Sequence, residues 1–117
     1  YDYENEFSQV LLNIITNARD ALVSNKIEKP IIKVNVSKIE NNVIVKIKDN
    51  ANEINEEIID RIFEPYFTTK GKGNGTEIGL YMSKLIIEKN MNGKLTVKND
   101  NNGAVFIITL NITKQEI

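Results

Sequence analysis

The spacing of apolar residues alternates between helical and strand periods along this 117-residue chain. Over residues 6–24, Phe7, Val10, Leu11, Ile14, Ala18, Ala21 and Leu22 recur at i, i+3 and i+4, which predicts a helix with one buried stripe. Residues 25–30 read as a linker. Ile32, Val34 and Val36 then alternate with Lys33, Asn35 and Ser37. Beyond an Asn41-Asn42 turn, Val43, Val45 and Ile47 alternate with Ile44, Lys46 and Lys48. That is the pattern of two half-buried strands in a hairpin. Asn55 can cap a short second helix with Ile58, Ile59, Ile62 and Phe63 on its inner face and Pro65 at its end. A third helix is predicted from Ile78 to Asn90, with Ile78, Met82, Leu85 and Ile86 as its stripe and Asn92-Gly93 as a left-handed cap. Leu95 and Val97, then Phe106, Ile108, Leu110 and Ile112 after a turn at 99–103, mark a second hairpin, and the last five residues read as a frayed tail. These elements predict an α+β two-layer sandwich, three helices on one face of a sheet.

Composition narrows the chemistry. With 15 basic and 16 acidic residues the net charge is −1, so bulk electrostatics point to neither nucleic acid nor an anionic membrane. There is no Cys, which excludes a disulfide framework, a thiolate metal site or a thiol nucleophile in these residues. There is also no His, hence no imidazole base, His ligand or phospho-accepting His here. No apolar run approaches the ~18 residues of a membrane span, and no signal peptide is visible. The length suits one domain spanning 1–117, and a start at Tyr1 rather than Met suggests part of a longer protein. The many Asn, Ile and Lys residues read as compositional bias.

Three places carry candidate chemistry. Gln9, Asn13, Asn17 and Asp20 form a line beside the buried stripe of the first helix. It is either a solvated shoulder or a row of amide oxygens aimed at a ligand or a hydrated magnesium. Asp49 shares the parity of Val45 and Ile47, so its carboxylate should look toward the covered side of the sheet, as a turn former or as an acceptor for a ligand amine. Lys70, Gly71, Lys72, Gly73 and Gly75 make a basic, glycine-rich loop before a helix, which is either solvated or a phosphate site. Glu77, where loop becomes helix, would face a bound phosphate.

The motifs go further than periodicity. QVLLNIITNARDAL at 9–22 resembles the Asn box of the ATP-binding catalytic domain of bacterial sensor histidine kinases. DNANEI at 49–54 resembles its first glycine box, IFEPYFTT at 62–69 its Phe box, and GTEIGLYMSKLIIE at 75–88 its second glycine box. The resemblance implies a Bergerat-type sandwich with a mixed sheet, binding ATP and Mg2+ under a short lid from Gly71 to Thr76. Asn17 then resembles the magnesium ligand, Asn13 lines the phosphate side and Asp49 accepts from the adenine amine. Lys70 and Lys72 would contact phosphates, while Asp20, Ile54, Phe67, Gly75, Thr76, Gly79 and Leu80 complete the ATP site. Phe63, Tyr66 and Phe67 resemble the aromatic wedge that anchors the lid and meets the helical hairpin bearing the phospho-accepting His. No residue is a convincing catalytic base, although Asn13 borders the place where one would act. The implied partners are that dimerisation and phosphoacceptor domain, absent here, and indirectly a response regulator. Nucleic acid and membrane contact by this domain are not expected. The chain alone is expected to be monomeric, cytoplasmic even if its parent spans a membrane, and unable to autophosphorylate. The family's strand before the Asn box has only YDYE as a remnant.

Three positions depart from the family pattern. Asn52 and Glu53 replace glycines of the first glycine box, and Glu77 replaces the middle glycine of the second. Asn52 tolerates a left-handed conformation, whereas Glu53 held there would be strained by ~1–2 kcal/mol and its side chain could occupy the adenine's space. A Glu77 carboxylate ~4 Å from a phosphate costs about 1–4 kcal/mol at effective dielectrics between 80 and 20. Weakened nucleotide binding is the expectation. A non-catalytic module of the same fold, natural or engineered, acting by protein docking, is the alternative.

Overall fold

In the computed structural model of the protein, the residues described are 3–65 and 79–111. Helix α1 spans Tyr3–Ser24, strands β1 and β2 span Ile32–Ile39 and Asn42–Asp49, helix α2 spans Gly79–Leu85, and strands β3 and β4 span Lys94–Asn99 and Ala104–Asn111. The strands form one sheet in the order β1-β2-β4-β3, with every neighbouring pair antiparallel. The two hairpins are thus joined through β2 and β4.

The core forms where the helical stripe meets the alternating strand positions. Val10, Ile14, Ala18 and Leu22 of α1 are buried, as their spacing predicts. Val10 and Ile14 pack with Val45 and Ile47 of β2, Phe106 and Ile108 of β4, and Leu95 of β3. Register places Ile47 opposite Phe106 and Ile108 opposite both Val45 and Leu95, so these side chains share one face of the pleat. Burying side chains of this size contributes about 1.5–3 kcal/mol each.

Four expectations are corrected. The segment 55–63 is a series of turns around a 3-10 turn at Ile59–Arg61, leaving two helices on the sheet rather than three. Asn55 does cap it, its Oδ1 accepting from the Glu57 N–H at 2.7 Å. Ten residues before a proline, with Ile58, Ile59 and Ile62 β-branched, are too few to repay helix nucleation. Secondly, the described sheet is antiparallel rather than mixed, and Tyr3 and Glu4 begin α1 rather than end a preceding strand. Thirdly, Val34 and Val36 are 53% and 65% exposed, because β1 is an edge strand that α1 does not cover. Fourthly, Met82 is 40% exposed, and the buried positions of the helix are Leu80, Ser83, Ile86 and Ile87. The helix widens into a π-helical turn at Ile86–Asn90, and the extra residue per turn rotates the apolar stripe. Asn92, at φ 55°, takes the left-handed position beyond that turn, and the Gly93 N–H donates back to the Ile87 carbonyl at 2.8 Å.

One glycine fixes the end of the sheet near Asp49. A Cβ on Gly103 would collide with the Asp49 carbonyl and come within 3.2 Å of the Asn50 Cα. Gly103→Ala is therefore expected to cost about 1–3 kcal/mol of unfolding free energy in urea denaturation. An unchanged midpoint would show that the two turns separate without penalty.

Candidate functional site

Asp49 ends β2 on the helix-covered side, as its parity predicts, and is only 5% exposed. Its Oδ1 accepts from the Ala51 N–H at 2.9 Å and the Ala104 N–H at 3.4 Å. Among the described residues no donor reaches Oδ2. Burial pushes the carboxyl above its ordinary range, against the two backbone N–H bonds and the field of Lys48.

The loop after Asp49 is held by asparagine side chains acting as substitute backbone. Asn99 donates to the Ile54 carbonyl and accepts from the Ile54 N–H, both at 2.8 Å, which mimics one rung of a sheet. Asn25, just past α1, donates to the Ala51 carbonyl at 2.5 Å. Asn50 bridges to the Lys29 carbonyl and the Ile31 N–H, each at 2.9 Å. Asn52 sits at φ 73°, the left-handed conformation that Asn tolerates, and its N–H donates to the Asn102 carbonyl. Glu53 is exposed and does not have a positive φ, so the backbone strain considered for it does not arise.

On α1, the polar line divides into two functions. Asn13 Nδ2 donates to the Gly79 carbonyl at 3.3 Å and to Ser83 Oγ at 3.1 Å, while its Oδ1 accepts from Gln9 at 3.0 Å. It pins the start of α2 to α1. Asn17, one turn on, is half-buried and has no partner among the described residues. Asp20, half-buried, meets the exposed Arg19 at 3.4 Å. Leu80 turns its side chain into the core, so only its backbone is available to a ligand. Phe67, Lys70, Lys72, Gly75, Thr76 and Glu77 lie outside the described residues.

Lys84 and Phe63 fix the chain where it enters the Phe box. Lys84 Nζ lies 4.9 Å from the centre of the Phe63 ring and donates to the Leu95 carbonyl at 2.9 Å and Glu88 at 3.0 Å. Phe63 in turn meets Phe106 edge-on at 6.1 Å. Burial raises the Glu88 carboxyl, but the Leu95 N–H and Lys84 outweigh it and leave it below its ordinary range. Sequence reading missed Asn25, Asn50, Asn99, Ser83 and Gly103. By sequence Asn25 falls in a linker, Asn50 in the first glycine box and Asn99 in a turn; their one visible signal is that Asn50 and Asn99 each stand at a strand end beside a turn.

The ionisation of Asp49 has a thermodynamic consequence. A carboxyl raised in the folded state adds stability below its unfolded pKa and loses that contribution as pH rises through the folded pKa. Asp49→Asn removes the titration. Its stability relative to the unmodified chain is therefore expected to improve from acid to neutral pH, measured by urea denaturation across that range. A constant difference would place Asp49 in a solvated setting.

The chain matches the model of the histidine kinase-, DNA gyrase B- and HSP90-like ATPase family over residues 2–114. It is 38% identical to the two-component sensor PprA of Pseudomonas aeruginosa over 108 residues, 90% of this chain and 12% of PprA. It is 32% identical to the sensor histidine kinase ZraS of Escherichia coli, over 93% of this chain and 23% of ZraS. The chain thus spans a small part of these curated relatives. Among solved structures, the nucleotide-free catalytic domain of histidine kinase ThkA superimposes with a TM-score of 0.76 at 34% identity, covering 92% of this chain and 66% of that one. ThkA in complex with the response regulator TrrA matches with a TM-score of 0.75 at 32% identity, over 95% of this chain and 30% of that one. The four ordered boxes, the helix-on-sheet architecture and these likenesses agree: the chain belongs to the histidine kinase-, DNA gyrase B- and HSP90-like ATPase family, as the catalytic domain of a sensor histidine kinase.

Proposed function

We propose that this domain binds ATP with Mg2+ beside α1, the 49–54 loop and the start of α2, and presents the γ-phosphate to a phospho-accepting His on a separate helical domain. The observation that carries this reading is the buried Asp49 carboxylate, whose Oδ1 accepts two hydrogen bonds while Oδ2 has no donor among the described residues. A buried acceptor of that kind calls for an N–H partner, and the exocyclic amine of adenine supplies one. Asn17, half-buried and unpartnered among the described residues, offers the amide oxygen that magnesium accepts. Asn13 is engaged on both amide atoms, so it acts by holding α2 rather than as a base. Lys70 and Lys72 contact the phosphates, with Asp20, Ile54, Phe67, Gly75, Thr76, Gly79 and Leu80 completing the site. Magnesium, when bound, neutralises charge on the transferring phosphoryl group.

ThkA was crystallised with a response regulator, which supports a place for this domain beside one in two-component signalling. The domain works in the cytoplasm, where ATP is, opposite a helical domain that carries the phospho-accepting His. Nucleotide binding is weakened chiefly by Glu77, since Asn52 already supplies the left-handed turn and Glu53 interferes only through its side chain.

Calorimetric titration of Mg-ATP into the chain, its Glu53→Gly/Glu77→Gly variant and the same variant with Asp49→Ala tests these claims. The double glycine variant is expected to bind roughly ten- to a thousandfold more tightly than the unmodified chain, and Asp49→Ala to abolish the gain. Equal micromolar affinity of the first two proteins would end the claim of weakening. No binding by the glycine variant would end the nucleotide reading and leave a docking module of this fold.

A further inference from the structure

The two faces of the sheet differ in charge. On the face turned away from the helices, register sets Lys33, Lys48, Val105 and Lys98 in one row across β1, β2, β4 and β3. Asn35, Lys46, Ile107 and Thr96 make the next row, and Ser37, Ile44, Thr109 and Lys94 the third. Five lysines thus share an area roughly 14 Å across, and among the described residues no acid occupies a strand position on this face. Asp100 lies at its border, 3.2 Å from Lys48. Lys94 lies at the margin, in the field of Glu88. Lys33, Lys46 and Lys48 surround a shallow depression together with Asn35, Asp100 and Val105. The whole chain carries a net charge of −1, so folding has gathered positive charge that the composition conceals.

The side chains present select the partner. Among the described residues, the strand positions of this face hold no Arg, Trp, Tyr or Phe. Nucleic-acid bases find no stacking platform there, and the aromatic and Arg anchors of protein hot spots are missing. Ile44 and Ile107 are half-buried, and the exposed large apolar residue at a strand position of this face is Ile39, 58% exposed at its far edge, so insertion of an apolar wedge contributes little. What remains is a flat array of hydrated ammonium groups, which gains most from a dense, diffuse layer of negative charge. Clusters of about four to eight basic residues are the size that anionic leaflets hold.

We propose that this lysine face docks peripherally on a bilayer surface rich in anionic phospholipid headgroups. It is separate from the nucleotide site, since Asp49 looks to the opposite side of the sheet.

Sedimentation of the 117-residue chain with vesicles of equal parts phosphatidylglycerol and phosphatidylcholine, and with phosphatidylcholine alone, tests the proposal without nucleotide. The chain is expected to sediment only with the anionic vesicles, and less as salt rises above roughly 0.1 M. Lys33→Gln/Lys46→Gln/Lys98→Gln is expected to weaken binding about a hundredfold. Lys29→Gln/Lys38→Gln/Lys89→Gln removes equal charge elsewhere and is expected to weaken it far less; circular dichroism melts check that both variants fold. No sedimentation of the unmodified chain, equal binding to neutral vesicles, or equal loss in the two triple variants would overturn the proposal. So would a stronger response to a glutamate-rich peptide or to inorganic phosphate than to vesicles, which reassigns the face to an acidic protein or a free anion.

Discussion

The close approach of Gly103 to the backbone of Asp49 is the constraint on which the rest of the site depends. It brings the β3–β4 turn against the end of β2, so that the Ala104 N–H reaches the Asp49 carboxylate and the Asn102 carbonyl reaches the Asn52 N–H. A side chain at position 103 would separate the two turns and release both bonds. The buried acid is thus held by a distant turn as much as by its own strand.

Asparagine does most of the remaining positioning. Its amide presents a donor and an acceptor side by side, the same pair that a peptide group presents, so it can complete a backbone that has left regular structure. Asn99 does this for Ile54, Asn50 for residues 29 and 31, and Asn25 ties Ala51 to the end of α1. The glycine-box loop is therefore braced on several sides although little of it lies in a strand. Asn13 does a related task on α1, where its amide bridges Gly79 and Ser83 and sets where α2 begins.

The π-helical turn and the lysine beside it couple α2 to the opposite end of the site. The wider turn carries Ile86 and Ile87 into the core while Lys84 stays at the surface against Phe63. Lys84 also reaches the Leu95 carbonyl, so one side chain joins the Phe box, α2 and β3. An Arg or Met there would keep the bulk but not this set of bonds.

Much of the fold was legible in local pattern. The stripe of Val10, Ile14, Ala18 and Leu22, the alternation through Val45 and Ile47, the inward parity of Asp49, the cap at Asn55 and the left-handed positions at Asn52 and Asn92 all follow from period and backbone preference within a few residues. The four boxes, also local, identified the family. The rest depends on which segments meet. Whether Val34 and Val36 are covered depends on where α1 lies over the sheet, and whether 55–63 closes into a helix depends on a balance of nucleation against packing. The clamps by Asn25, Asn50 and Asn99 join residues 19 to 45 positions apart, and the lysine face joins four strands. Local spacing carries information along the chain; hydrogen-bond partners and charge on a face are set by neighbours across it, and only the tertiary structure brings those together.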